Sequence, residues 1–71
     1  MRNNGYRISS ATREFFSGDL VMVINGRSPL VDHVGMVTGK HPEDDVYLVA
    51  LDGSAHSTRL DGIDLVKVER A

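Results

Sequence analysis

The chain has 71 residues, of which 8 are basic and 10 acidic, so its formal net charge is -2. With 41% hydrophobic residues it has the composition of neither a disordered acidic tail nor a membrane protein. The absence of cysteine excludes a disulfide framework, a thiolate nucleophile and a Cys-type zinc site. It also fits a reducing compartment, and we predict a cytoplasmic protein. A domain this small buries only a modest core, so a large enclosed substrate pocket is not expected.

The first thirteen residues carry the positive charge of the chain. They hold Arg2, Arg7 and Arg13 and no acid, giving +3, whereas residues 14–71 hold 5 basic and 10 acidic side chains, giving -5. Tyr6 and Ile8 supply little apolar surface for independent folding. We therefore predict that residues 1–14 form a flexible basic tail. The alternative is a tail that becomes ordered on a partner.

From Phe15 onward, short runs of Val, Ile and Leu are separated by Gly, Asp, Asn and Pro, which predicts strands and turns. The five predicted strands are residues 20–25, 33–38, 46–51, 57–60 and 65–69. Gly35 interrupts the second strand and indicates a bend, a bulge or a close backbone approach. Asp52-Gly53 is a strong hairpin signal. Residues 61–64 predict a tight turn, in the form of one 3₁₀ turn.

The third predicted strand is the most apolar and should be central in its sheet. Phe15 and Phe16 precede the first strand, and at least one of them should cover the core. Five short strands at regular intervals predict a small barrel or sandwich. We expect an all-β domain over residues 15–71, a five-stranded barrel preceded by the flexible basic tail.

Two segments carry a resemblance to a known family. Gly18-Asp19-Leu20-Val21-Met22-Val23-Ile24-Asn25-Gly26, followed by Val34-Gly35-Met36-Val37, is similar to the opening of SH3-like barrels of the KOW type. Such barrels occur in ribosomal proteins and transcription elongation factors. The longer loop between the two segments is closer to the SH3-like peripheral subunit of photosystem I and to nitrile hydratase beta-type domains. The resemblance implies an SH3-like barrel, but one fold hosts many functions.

Catalysis and metal binding are disfavoured by the spacing of the candidate residues. His33, His41 and His56 fall in separate turns or strand ends, whereas a tetrahedral metal site needs three or four converging ligands. Asp32 and His33 are neighbours in a strand pattern, so their side chains should point to opposite faces. The acids and serines after the third strand belong to a hairpin turn, where they normally bond the backbone. We predict a non-enzymatic protein with no metal and no cofactor.

Nucleic-acid binding needs a basic track, and the body of this chain is acidic. Arg27 and Arg59 could flank a groove, but Asp32 and Asp61 would offset their charge. Tyr47 alternates with Val46 and Leu48, and we interpret it as an outward contact residue. A KOW-like nucleic-acid-binding module therefore stays an alternative, as does an accessory subunit of a redox or metal enzyme.

Protein recognition is the remaining class. Leu30 and Val31 beside Pro29 form an apolar loop tip with Arg27 at its base, a composition suited to an interface core. The alternative for Leu30 and Val31 is that they close the end of the barrel. The predicted partner-binding residues are Tyr6, Arg7, Ile8, Arg13, Arg27, Leu30, Val31, Tyr47 and Arg59.

We expect a protein that docks on a larger assembly and regulates it. The KOW-like pattern favours the transcription machinery, with RNA polymerase as the partner. Contact with nucleic acid should be weak and contact with membranes absent, and the free protein should be a monomer. A one-module chain that begins at Met1 favours a stand-alone regulator, with a phage genome as one source.

Overall fold

The computed structural model describes residues 5–12, 14–41 and 44–71. These residues form strands β1 (Tyr6–Ser10), β2 (Leu20–Val23), β3 (Val34–Lys40), β4 (Val46–Leu51), β5 (Thr58–Asp61) and β6 (Leu65–Arg70). A 3₁₀ turn, Gly62–Asp64, joins β5 to β6, as the sequence predicts. The predicted all-β class is confirmed. The described part of the chain contains no helix that is long and apolar enough to cross a membrane.

The strands form one antiparallel sheet in the order β1-β6-β2-β3-β4-β5. Among the described residues, β1 and β5 lie at the two edges and are not paired with each other, so the sheet is open. It therefore differs from the predicted barrel in having six strands and no closure. β4, predicted to be central, has β3 on one side and β5 on the other.

The extra strand comes from the segment that the sequence predicts to be a flexible tail. Tyr6–Ser10 forms β1 and pairs with β6, with Tyr6 opposite Arg70 and Ile8 opposite Val68. The physical reason is the free edge of β6, whose backbone groups bond those of β1. Of the predicted tail, residues 1–4 and Arg13 lie outside the described residues.

The core lies on one face of the sheet. Its buried side chains come from alternate positions of the strands and from the segment before β2: Phe15, Val21, Val23, Val37, Tyr47, Val49, Leu51 and Leu65. Phe15 is 1% exposed and Phe16 is 64% exposed, which confirms that one of the two phenylalanines covers the core. The Phe15 and Tyr47 rings meet edge to face with their centroids 5.1 Å apart.

Turn chemistry explains where β4 ends. Asp52 and Gly53 have φ values of 53° and 77°, and the Ser54 N–H donates to the Leu51 carbonyl at 2.8 Å. Two successive positive φ values are the geometry that Asp-Gly favours. In β3, the predicted close backbone approach at Gly35 is confirmed, because a Cβ there would lie 2.6 Å from the Ala50 carbonyl oxygen. The register also shifts between Val37 and Gly39, a bulge in β3.

Candidate functional site

The face of the sheet opposite the core is also apolar. Val21 and Val23 of β2 point into the core, so Leu20 and Met22 point to the other side. The same alternation applies in β3 and β4, and Val66 of β6 belongs to this side because it lies opposite Met22. We define the outer face as Leu20, Met22, Val34, Met36, Leu48, Ala50 and Val66.

The pairing of the strands makes this face continuous. Leu20 is opposite Met36, which is opposite Ala50, and these three residues form a row across β2, β3 and β4. In a second row, Met22 lies between Val66 and Val34. Met36 and Leu48 keep 46% and 37% of their surface exposed. Antiparallel sheets with one solvated face usually place polar side chains on it, and the apolar composition of this outer face departs from that pattern.

An open groove of about 830 Å³ runs over part of the outer face. Its floor consists of strand residues, namely Leu20, Val34, Gly35, Met36 and Ala50. Its walls are Tyr6 from β1, the loop residues Val31, Asp32 and His33, and the turn residues Asp52, Gly53 and Ser54. The groove is therefore apolar at its floor and polar at the end where the β2–β3 loop meets the β4–β5 turn.

An imidazole–carboxylate pair lies at this polar end. His33 Nδ1 is 2.5 Å from Asp52 Oδ2, and both side chains are partly exposed. The two residues meet because the Asp52 N–H donates to the Val34 carbonyl at 2.9 Å, which places the β4–β5 turn beside the start of β3. The sequence suggested Asp32 as the neighbour of His33 and did not identify Asp52. Extending the β3–β4 pairing by one residue places Asp52 opposite Val34, the neighbour of His33.

Two of the predicted partner-binding residues line the groove, namely Tyr6 and Val31. The Arg70 guanidinium lies over the Tyr6 ring, 5.7 Å from its centroid. Leu30, the neighbour of Val31, is partly buried against the core instead. The loop tip is thus divided, with one apolar side chain closing the core and the other facing the groove.

The remaining predicted residues lie apart from the groove. Ile8 is 62% exposed on β1, and the neighbouring Arg7 Nε donates to Glu69 Oε2 at 2.8 Å in an exposed pair. Arg27 is exposed in the β2–β3 loop, and Arg59 of β5 is exposed opposite Leu48. The prediction for Arg13 lies outside the described residues.

The prediction that Tyr47 points outward is wrong. Tyr47 is 1% exposed, and its hydroxyl accepts a hydrogen bond from the Phe15 N–H at 3.3 Å. Leu48 and Ala50 point outward instead, so the alternate set of β4 residues that faces the core is the opposite of the predicted one. Lys40 Nζ lies 5.4 Å from the centre of the Tyr47 ring. Tyr47 is therefore a core residue and not part of an interface.

The three histidines occupy separate places. His33 lies at the groove. His41 follows the last residue of β3, and its Nδ1 is 3.5 Å from Asp44 Oδ2, at the other end of the β3–β4 pair. His56 lies in the β4–β5 turn, where its backbone N–H donates to Ser54 Oγ at 3.0 Å. Among the residues that the structure describes, no three His, Asp or Glu side chains converge as metal ligands would.

Comparison of the chain with protein-family models, with curated proteins and with solved structures finds no match in any of the three. The two distinguishing properties of the site are the apolar outer face and the acidic end of the groove that crosses it.

Proposed function

We propose that this chain is a non-enzymatic, cytoplasmic protein-binding module that docks on a larger protein assembly through its outer face and regulates that assembly. The observation that carries the proposal is the continuous row of apolar side chains across β2, β3 and β4, half-buried at Leu20 and Ala50 and exposed at Met36. Apolar patches of this kind on small soluble domains are typical of protein interfaces.

The charge at the groove supports a protein partner over a nucleic acid. Asp32 and Asp52 line the groove, and no Lys or Arg is among its described lining residues. A phosphate backbone brought to this surface would meet carboxylates and would lack the cations that dominate nucleic-acid binding. The KOW-like pattern of residues 18–26 and 34–37 makes RNA polymerase the first assembly to test.

The test is affinity capture with a single charged residue placed in the outer face. Met36→Glu introduces a carboxylate at a position that is 46% exposed, so the fold should tolerate it while an apolar contact would not. Ile63→Glu is the matched control, because Ile63 is 65% exposed but lies in the 3₁₀ turn outside the outer face. Circular dichroism verifies that both variants are folded.

After nuclease treatment, the wild-type chain and Ile63→Glu should capture the same complex, and Met36→Glu should lose it. Binding to purified RNA polymerase, measured with the same three proteins, then tests the proposed partner. Equal capture by Met36→Glu would contradict the outer face as the docking surface. Loss of all bound material on nuclease treatment would favour the nucleic-acid-binding alternative.

A further inference from the structure

Strand β5 is paired along one edge only. It pairs with β4, and among the described residues no strand pairs with its other side. Its side chains alternate, since Arg59 and Asp61 are exposed and Leu60 is partly buried against the core. A free edge of this kind can pair with a further strand. Which strand it accepts depends on the backbone groups and side chains that the edge presents.

The ladder between β4 and β5 determines which backbone groups face the free edge. The Gly62 N–H donates to the Asp45 carbonyl at 2.8 Å, one position beyond the β4–β5 pairs. Hydrogen-bonded and non-hydrogen-bonded pairs alternate along an antiparallel ladder, so Leu60 exchanges hydrogen bonds with β4, whereas Arg59 and Asp61 do not. The N–H and C=O groups of Arg59 and Asp61 therefore point away from β4, and a new strand would bond these groups.

A symmetric antiparallel pair of two β5 strands has one register that uses all of these groups. Centred on Leu60, it places Arg59 of each copy opposite Asp61 of the other, so that every outward N–H meets an outward carbonyl. Registers centred on Arg59 or on Asp61 bond fewer of these groups within β5. They also put like charges directly opposite each other, which is destabilising.

The side chains of β5 suit the same register. Arg59 and Asp61 lie two positions apart on one face of the sheet, so each would form an ion pair with the opposite residue of the second copy. Leu60 lies on the other face, with the core, and would meet Leu60 of the second copy. This central pair is non-hydrogen-bonded, the kind in which side chains come closest. β5 is therefore complementary to itself in backbone, charge and apolar contact.

We propose that two copies of this chain associate through their β5 strands, paired antiparallel about Leu60, to form one continuous sheet. The contact is small, so the dimer is weak, with a dissociation constant on the order of 100 μM. The two outer faces lie on the same side of the joined sheet, because opposite residues of an antiparallel pair share a face. The inference goes beyond the proposed function and does not depend on it. At high concentration it also differs from the monomer that the sequence predicts.

Exchange of the charges at residues 59 and 61 tests this pairing. Both side chains are exposed, and Asp61 makes no capping hydrogen bond to the 3₁₀ turn, so substitutions there should leave the fold intact. Arg59→Asp and Asp61→Arg each put like charges opposite each other and should weaken the dimer about tenfold. The double variant restores opposite charges and should associate like the wild-type chain. An equimolar mixture of the two single variants should form a heterodimer.

Sedimentation equilibrium measures the association of each variant, and circular dichroism verifies its fold. Arg27→Asp is the matched control, because it makes the same charge change at an exposed loop position outside β5. Its dimerisation should equal that of the wild-type chain. As the protein concentration rises, the Arg59 and Asp61 amides should gain protection from hydrogen exchange, whereas the Leu60 amide is already bonded to β4.

The contrary results are distinct from one another. A wild-type chain that stays monomeric up to about 1 mM would overturn the inference, and so would a double variant that fails to recover the dimer. Concentration-dependent changes confined to the outer face around Met36 would assign self-association to that face instead. Oligomers larger than a dimer, with new protection in β1, would indicate head-to-tail pairing of β1 with β5 and would equally overturn the symmetric pair.

Discussion

Gly35 of β3 lies so close to the backbone of β4 that no side chain fits there. A Cβ would lie 2.6 Å from the Ala50 carbonyl oxygen and 2.9 Å from the Leu51 Cα, and both of these atoms belong to the backbone of β4. Unlike the end of a flexible side chain, this backbone can move only if the sheet is distorted. The absence of a side chain at residue 35 therefore allows β4 to pack directly against β3.

We predict that Gly35→Ala lowers the free energy of unfolding by about 2 kcal/mol, as overpacking of a filled core does. Urea denaturation followed by circular dichroism measures this change. Gly26→Ala is the control, because a Cβ at Gly26 meets nothing within 4 Å. Equal stability of the two variants would show that β4 does not approach Gly35 as closely as described.

Tyr47 shows what a strand of six apolar residues leaves undetermined. In β4, Val46–Leu51, every position is apolar, so the pattern alone does not specify which alternate set faces the core. Pairing resolves the choice, since Leu51 lies opposite the buried Gly35 and Val49 opposite the buried Val37. The bounds of β4 were predictable from local sequence, whereas the choice of which side chains face the core depended on contacts between strands.

At the scale of elements, the strands bounded by turn residues were predictable. β4 has the predicted bounds, and the other predicted strands differ from the observed ones by one or two residues at their ends. Gly, Asp and Asn mark these turns through their own backbone preferences, which are local properties. β1 is different: its signal is the alternation of Tyr6 and Ile8 with polar residues, and its pairing depends on the distant edge of β6.

We expect deletion of residues 1–10 to destabilise the domain and to promote self-association. Val68 is 3% exposed and lies opposite Ile8, so removing β1 should expose this side chain at a cost of about 2 kcal/mol. The deletion also leaves one edge of β6 without backbone partners, and such an edge recruits strands from other molecules. Urea denaturation and size-exclusion chromatography measure the two effects.

Deletion of residues 1–4 provides the comparison for this experiment. It keeps Gly5 and every pair between β1 and β6 that the structure describes, including Tyr6 with Arg70. Stability within about 0.5 kcal/mol of the full chain is expected for this shorter deletion. If both truncated chains unfold at the same urea concentration, β1 contributes nothing to stability, and the tail prediction regains its support.

For the whole molecule, the sequence predicted the fold class better than the candidate site. The core follows from strand periodicity, but the outer face requires the phase of each strand and the pairing across β2, β3 and β4. The polar end consists of Asp32, His33 and Asp52. His33 and Asp52 contact each other although they are 19 positions apart in the sequence. Only the assembled sheet brings this acidic end and the apolar floor into one groove.

The combination of apolar area and acidic charge predicts how partner binding responds to salt. Contact between apolar surfaces does not depend on screening, so added salt should weaken binding through the outer face only slightly. We expect the partner affinity to change by less than about fivefold between 50 mM and 200 mM salt, the contribution of one partly exposed charge pair. Titration of a captured partner at several salt concentrations measures this dependence.

The affinity of a protein that makes several phosphate contacts falls about 10³-fold or more over the same range of salt concentration. A loss of that size would mean that phosphate contacts dominate, and the outer face would then not be the main source of affinity.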